Sequence, residues 1–139
     1  MRLTAHTDYA LRILLHAAMD PEQLLSIAQV AQAHAISRNH AMKVVNVLGN
    51  AGLLETVRGR GGGFRLGRSA QDITLGEVVR LTEPHLQPAD CGNCLLQAAC
   101  GLTGLLRQAV GAFLAELDRH TLADAAAGTR LPFMLSPRA

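Results

Sequence analysis

The chain has 139 residues, of which 49% are hydrophobic and 3% aromatic, and its formal net charge is +2. This length fits one domain, or one domain with an appendage. No apolar run is long enough to span a membrane, and the N-terminus lacks the pattern of a secretory signal. We therefore expect a cytoplasmic protein with no membrane partner. Residues 1–70 carry eight Lys or Arg against four Asp or Glu, which favours a polyanionic partner for this half.

The first third of the chain predicts three helices. Apolar residues recur at helical spacing over residues 3–19, and Asp20-Pro21 ends that helix. Ser26 is a candidate N-cap for a short helix that runs to about residue 34. Ser37 is a second N-cap, and Gly52 is a plausible stop for the helix that follows. We expect Met42, Val44, Val45 and Leu48 to form the buried side of this third helix.

The next segment predicts a β-hairpin with a basic tip. Two short apolar runs, at residues 54–57 and 64–66, flank the turn Arg58-Gly-Arg-Gly-Gly-Gly63. Two short helices followed by such a hairpin are the parts of a winged helix-turn-helix. The fold class is therefore mainly α with a small β-hairpin wing. A further short helix, opened by Asp72 or Thr74 and ended by Pro84, completes a DNA-binding domain over residues 1–84.

The remaining residues divide into three predicted segments. Residues 85–103 contain the cysteines and are expected to form a loop. Residues 104–126 are expected to form one long helix that mediates dimerisation. Residues 127–139, which include Pro132 and Pro137, are expected to be a disordered tail.

The third helix and the hairpin supply the candidate DNA contacts. The second helix of such a motif enters the major groove and presents its first turns to base edges. The candidates on it are polar or basic: Ser37, Arg38, Asn39, His40 and Lys43. In the hairpin, Arg58 or Arg60 could enter the minor groove. The simpler interpretations are that Ser37 only caps a helix and that the hairpin tip is only a flexible turn.

The long C-terminal helix carries an apolar seam that favours a homodimer. Leu106, Val110, Phe113 and Leu117 alternate by four and three residues, as in a coiled coil. Leu105, Leu114 and Leu122 widen this face. A small winged domain cannot cover such a face alone, so we expect a second copy to pack there. A two-fold dimer would place two reading helices one DNA turn apart on a near-palindromic operator.

All three cysteines lie in the ten residues CGNCLLQAAC, at positions 91, 94 and 100. Thiolates are the main ligands of iron–sulfur clusters. Zinc is an equally supported interpretation of these residues, with Cys91, Cys94 and Cys100 completed by His85 or Asp8. A metal-free thiol switch is the third. No grouping of catalytic side chains points to an enzyme, although an electron carrier remains an alternative to a regulator.

Four segments resemble a known family in their order along the chain. They are HTDYALRILLHAA, SRNHAMKVVNVLGNAGLLETVRGRGGGFRLG, ITLGEVVRLTEP and the cysteine cluster. This set is similar to the iron–sulfur-dependent winged-helix repressors of the family that includes IscR and NsrR. SRNH followed by MKVVN, and FLAELDRHTLAD, are most similar to the nitric-oxide-sensing members. The resemblance covers about residues 1–126.

This resemblance implies a homodimeric repressor that releases its operator when nitric oxide nitrosylates an iron–sulfur cluster. It implies that Cys91, Cys94 and Cys100 hold the cluster, with Asp8 of the partner subunit as fourth ligand. A 4Fe–4S cluster is preferred, 2Fe–2S is the alternative, and zinc is the runner-up. It implies DNA contacts from the recognition helix and Arg58. Two residues separate Cys91 from Cys94, where the family usually has four or five. IscR-like proteins use a His shortly after the third cysteine, whereas Gly-Leu-Thr-Gly follows Cys100 here.

Overall fold

The computed structural model of the chain describes residues 1–132 and contains six α-helices and one two-stranded sheet within them. In chain order the elements are α1 (Ala5–Met19), α2 (Ile27–Ala33), α3 (Arg38–Asn50), β1 (Leu54–Val57), β2 (Gly63–Leu66), α4 (Leu75–Thr82), α5 (Gly101–Asp118) and α6 (Leu122–Ala127). The expected fold class, mainly helical with a hairpin wing, is confirmed.

Short polar side chains begin the helices of the predicted DNA-binding domain, residues 1–84, which we call the reading head. The hydroxyl of Ser26 accepts a hydrogen bond from the Gln29 amide, and Oε1 of the Gln29 side chain accepts one from the Ser26 amide, which makes a capping box. Ser37 caps α3, and Thr74, rather than Asp72, caps α4. Each hydroxyl satisfies a helix amide that has no partner within the helix.

The core lies between α1, α2, α3 and the hairpin. Phe64 of β2 is 1% exposed and joins the sheet to the helices. Its backbone exchanges two hydrogen bonds with Leu25, at 2.9 and 2.8 Å. The segment before α2 thus pairs with the hairpin through one antiparallel β-bridge. The wing is thereby fastened directly to the helix-turn-helix.

One core position of α3 differs from the prediction. Met42 is 52% exposed, whereas Ala41 is fully buried with Val44, Val45 and Leu48. These four follow the spacing of one helix face, while Met42 lies about 100° further around the helix. The pattern was misassigned because methionine is more hydrophobic than the alanine that fills the tight space.

The prediction of one helix over residues 104–126 is wrong. Helix α5 begins earlier, at Gly101, and ends at Asp118, and the chain then turns before α6. At the turn the backbone pairs with the segment before α4, through Leu75 N to His120 O at 2.9 Å and Leu122 N to Ile73 O at 2.8 Å. Thr121 starts α6 with its own capping box. These hydrogen bonds stabilise the turn after Asp118 in place of a helix that continues through it.

The C-terminal segments differ from the prediction in two further ways. The loop ends at Cys100, not at residue 103, and Ala127 belongs to α6 rather than to a tail. The expected disorder of the tail concerns mainly residues 133–139, which lie outside the described residues. Within residues 1–132, the helices are too short or too polar to cross a membrane.

Candidate DNA interface and cysteine loop

The N-terminus of α3 presents the polar residues expected to read DNA. Ser37 caps it, with Oγ accepting a hydrogen bond from the His40 amide at 3.2 Å. Arg38, Asn39 and Lys43 are exposed. Several of these side chains border an open groove of about 560 Å³, which is lined by His6, Ser37, Asn39, His40, Lys43, Asn46 and Val47. A groove with such donors suits contact with a polyanion.

His40 is not a free surface side chain. It is half-buried, and its ring contacts two rings of α1. The Tyr9 ring meets it edge to face at 4.7 Å between centroids, and the His6 ring stacks on it at 6.2 Å. Sequence reasoning missed His6 and Tyr9, although their spacing of three residues on one helix face was a usable signal.

Helix α1 therefore contributes to the reading surface as well as to the core. The pKa of His6 is lowered, first by partial burial and then by the charge of His40, while Glu83 acts in the opposite direction. The neutral imidazole is thus favoured beside His40.

The wing is built so that two cations lie at its tip. Arg58 and Arg60 are exposed, and the intervening Gly59 has φ 97° while Gly61 has φ 69°. Side chains other than glycine rarely adopt these angles. On the strands, Arg65 pairs with Glu55 at 3.0 Å, and both of these side chains are partly exposed.

The cysteine loop brings two of its three sulfurs to the start of α5. Cys91 is half-buried, and its Sγ lies 4.0 Å from Thr103 Oγ1. The pKa of the Cys100 thiol is lowered, because the Thr103 side chain and the amides of Leu102 and Thr103 favour its thiolate. Cys94 is exposed, and all three thiols are free. A helix N-terminus is a favourable place for thiolates.

The chemistry of this donor set fits a soft metal centre, but a single chain does not gather all four expected ligands. Within residues 1–132, no three His, Cys, Asp or Glu side chains converge as a metal site. Asp8 instead pairs with Arg12. Arg12 Nε donates to Asp8 Oδ1 at 2.9 Å, and Arg12 Nη2 donates to Asp8 Oδ2 at 2.7 Å. Its place in the first turn of α1 is also the one that the helix dipole favours. His85, the alternative zinc ligand, is exposed.

A cavity of about 400 Å³ separates the cysteine loop from α5. Its walls are mostly apolar, and Cys91 and Thr103 border it beside Leu106 and Val110. Half of the seam expected at the dimer interface therefore faces the loop of its own chain.

Helix α5 is largely uncovered in one chain. None of its residues is buried. Leu106, Val110, Phe113 and Leu117 are each partly covered, while Leu102 and Leu105 are 57% and 62% exposed. Leu122 was expected to widen this face, but it is 1% exposed in the core of its own chain, because it lies on α6.

The chain matches the family model described as Rrf2, iron-dependent transcriptional regulator, over residues 3–128. It is 46% identical to the HTH-type transcriptional regulator NsrR of Bacillus subtilis (strain 168) over 130 residues, covering 89% of both chains. It is 44% identical to the regulator of the same name from Halalkalibacterium halodurans, again over 89% of each. These relatives are transcriptional regulators and not enzymes.

Solved structures show the same architecture. CymR, the global cysteine regulator of B. subtilis, is similar with a TM-score of 0.73 and 30% identity, covering 94% of this chain and 99% of CymR. IscR of T. potens has a TM-score of 0.75 at 22% identity, covering 98% and 97%, which supports the fold alone. The resemblance noted in the sequence is confirmed, and the chain belongs to the Rrf2 family of iron-dependent transcriptional regulators.

Proposed function

We propose that this regulator is a nitric-oxide-sensitive, iron–sulfur-dependent repressor that binds a near-palindromic operator as a homodimer. The observation that carries the proposal is the placement of Cys91 and Cys100 together at the N-terminus of α5, in a chain whose other end presents a basic reading head. The relatives named NsrR support the assignment to a regulator with this type of sensing.

The DNA contacts proposed are those of a winged helix. Arg38, Asn39 and Lys43 of α3 reach base edges or phosphates in the major groove, and Ser37 adds a hydroxyl beside the helix N-terminus. Arg58 and Arg60 extend from the wing toward the minor groove. His40 also belongs to this surface, although its contacts with the His6 and Tyr9 rings restrict its side chain to fewer orientations.

The cluster would be held by Cys91, Cys94 and Cys100, with Asp8 of the partner subunit as fourth ligand. When bound, an iron–sulfur cluster would supply iron sites that nitric oxide attacks. In a 4Fe–4S cluster, three irons would be held by the cysteines and the fourth by a ligand other than cysteine. The chain's own contribution is to lower the cost of the thiolate at Cys100 and to hold Cys91 beside Thr103. Within one chain, the Asp8 carboxylate is paired with Arg12.

The dimer would bury the exposed side of α5. An 18-residue helix with no buried residue and two leucines more than half exposed is stable mainly when another surface covers it. Leu102 is added to the expected interface of Leu106, Val110, Phe113 and Leu117, which Leu105 already widens. Two-fold pairing would present two α3 helices to one operator.

The test is anaerobic purification of the full chain, followed by iron and sulfide analysis and visible absorption. A duplex enriched from a random library by the loaded protein serves as the operator. We expect about four irons and four sulfides per chain, and loss of both the absorption and the operator binding after nitric oxide is added. Asp8→Ala should weaken the response to nitric oxide and leave the fold intact.

Three outcomes would contradict the proposal. One zinc per chain in place of iron and sulfide would make the loop a structural clip. Operator binding that responds to oxidants in the metal-free chain would favour a thiol switch at Cys100. An iron–sulfur protein without selective, salt-sensitive DNA binding would be an electron carrier.

A further inference from the structure

The C-terminal end of α4 is fastened to the first turn of α1 by a single carboxylate. Glu83 Oε2 accepts hydrogen bonds from Thr4 N at 3.0 Å, Thr4 Oγ1 at 2.9 Å and Thr7 Oγ1 at 2.5 Å. Thr7 is fully buried. Partial burial raises the pKa of Glu83, but the bonds from Thr7 and Thr4 outweigh it and lower this pKa. The ionised carboxylate thus acts as a clamp on the start of α1.

The clamped turns of α1 also hold His40 on the recognition helix. His6 lies between Thr4 and Thr7, and Tyr9 lies two residues beyond Thr7. The Tyr9 ring meets the His40 ring edge to face at 4.7 Å, and the His6 ring stacks on it at 6.2 Å. His40 is the third residue of α3, and its amide bonds the Ser37 cap. A shift of this part of α1 would therefore change the pose of His40.

At its other end, the clamp is continuous with the cysteine loop. Glu83 immediately precedes Pro84, where the loop that carries the three cysteines begins. The Glu83 amide still bonds the Val79 carbonyl at 2.8 Å, so Glu83 is the last residue tied to α4. A rearrangement at this end of the loop would reach Glu83 first.

We propose that Glu83 is a positioning residue that transmits the arrangement of the cysteine loop to His40 through the first turns of α1. The proposal rests on the proposed function for its biological use, since it assumes that the loop responds to a signal and that α3 reads DNA. Its structural content is independent of the signal. It requires only that the Glu83 clamp and the Tyr9–His40 contact act as one coupled unit.

The first measurement is nuclear magnetic resonance of the His40 ring in the metal-free, full-length protein. Glu83→Gln removes the charge of the clamp and preserves its size, and we expect it to move the His40 ring resonances. The matched control is Glu77→Gln, because Glu77 lies on the same helix but pairs with Arg68 at 2.5 Å instead of contacting α1. It should leave the His40 resonances in place. Equal effects of the two variants, or none, would overturn the proposal.

The second measurement is a double-mutant cycle on binding to the enriched duplex. We expect Glu83→Gln to weaken binding by about 5-fold in the wild-type background. In a His40→Ala background, where the last step of the path is absent, the same change should cost less than about 2-fold. Additive losses would mean that Glu83 acts on DNA binding independently of His40, and would refute the coupling.

Two further arms separate a failure of this inference from other failures. If Glu83→Gln does not fold, as judged by its melting transition, Glu83→Asp keeps the charge, withdraws the clamp by one methylene, and is read by the same resonances. If the wild-type chain selects no duplex, the proposed function fails, while the response of the His40 ring still decides whether Glu83 positions it.

Discussion

At the residue scale, two serines with the same local role separate folding from recognition. Ser26 and Ser37 each cap a helix, but only Ser37 lies at the groove on the reading surface. Removing either hydroxyl leaves a helix amide without its partner. Only one of the two losses should also reach DNA.

We expect Ser37→Ala and Ser26→Ala each to lower the free energy of unfolding by about 1 kcal/mol. Ser37→Ala should in addition weaken operator binding, because a hydroxyl and a fixed helix N-terminus are lost from the interface. Urea denaturation and fluorescence anisotropy with a labelled duplex measure the two effects. An equal loss of affinity in Ser26→Ala would show that Ser37 acts through stability alone.

A pair of histidines between α1 and the end of α2 makes the reading head sensitive to acid. His16 Nδ1 and His34 Nε2 are 2.9 Å apart, so one ring donates to the other only while at least one is neutral. Burial lowers the pKa of His16. Burial, then the charges of His16 and Arg12, lower the pKa of His34.

The folded state binds these protons less readily than the unfolded chain. The free energy of unfolding should therefore decrease as the solution becomes more acidic. The free energy of unfolding should be highest above the ordinary histidine value of 6.5 and should decrease as the pH drops below it. The double variant His16→Gln, His34→Gln should show a shallower decrease, with the slope from His6 remaining. Urea midpoints between about pH 7.5 and 5 test this, and an unchanged slope in the double variant would contradict it.

At the scale of elements, α4 and α5 cross where an exposed ion pair lies over a buried glycine. Arg80 and Asp118 form two bonds across it, at 2.5 and 2.8 Å, but their side chains are 49% and 40% exposed. Such pairs contribute little to stability. Gly76 is buried directly beneath Asp118, and a Cβ there would collide with the Asp118 carboxylate.

We expect Gly76→Ala to change the free energy of unfolding by less than about 1 kcal/mol. The added Cβ meets only the ends of the Asp118 and Arg80 side chains, which are partly exposed and turn aside, and alanine favours the helix over glycine. Asp118→Asn, which removes the charge and keeps the size, should also cost less than about 1 kcal/mol. Thermal or urea unfolding of the metal-free chain compares the two. A loss of more than about 2 kcal/mol in either variant would mean that this contact sets the crossing of α4 and α5.

At the scale of the whole molecule, the exposed leucines of α5 support the proposed second copy. Leu102 and Leu105 remain more than half exposed in one chain, and their burial in a dimer would remove apolar surface from water. The same dimer would bring the partner subunit's Asp8 toward the cysteine loop, which a single chain does not do.

We expect Leu105→Glu to convert the dimer into a folded monomer with at least tenfold weaker operator binding, because a buried unpaired charge is unfavourable at an interface. Ala115→Glu adds the same charge to the same helix, about a quarter turn away from the leucine stripe, and should remain dimeric. Sedimentation equilibrium and anisotropy provide the readouts. A dimeric Leu105→Glu protein would place the interface elsewhere.

Much of the fold could be predicted from local patterns. Ser26, Ser37 and Thr74 start helices because their hydroxyls satisfy nearby amides, and such bonds depend only on residues three positions away. The hairpin followed from glycines between two apolar runs. Met42 was misassigned because the space available on each face of α3 is set by residues distant in the sequence. The long helix was misassigned because the turn before α6 forms backbone bonds with the segment before α4, which is also distant in the sequence.

The sequence by itself determined the starts of α2 and α3, the wing, the basic residues of α3 and the wing, the clustering of three cysteines and, through resemblance, the family. These depend on short-range chemistry and on the identity of side chains. Only the tertiary structure decided that His6 and Tyr9 hold His40, that Glu83 clamps α1, and that Cys91 and Cys100 meet at Thr103. The contacts of His40 and of Glu83 join residues more than 30 and more than 70 positions apart. They arise from packing of whole helices, for which a linear pattern contains no distance.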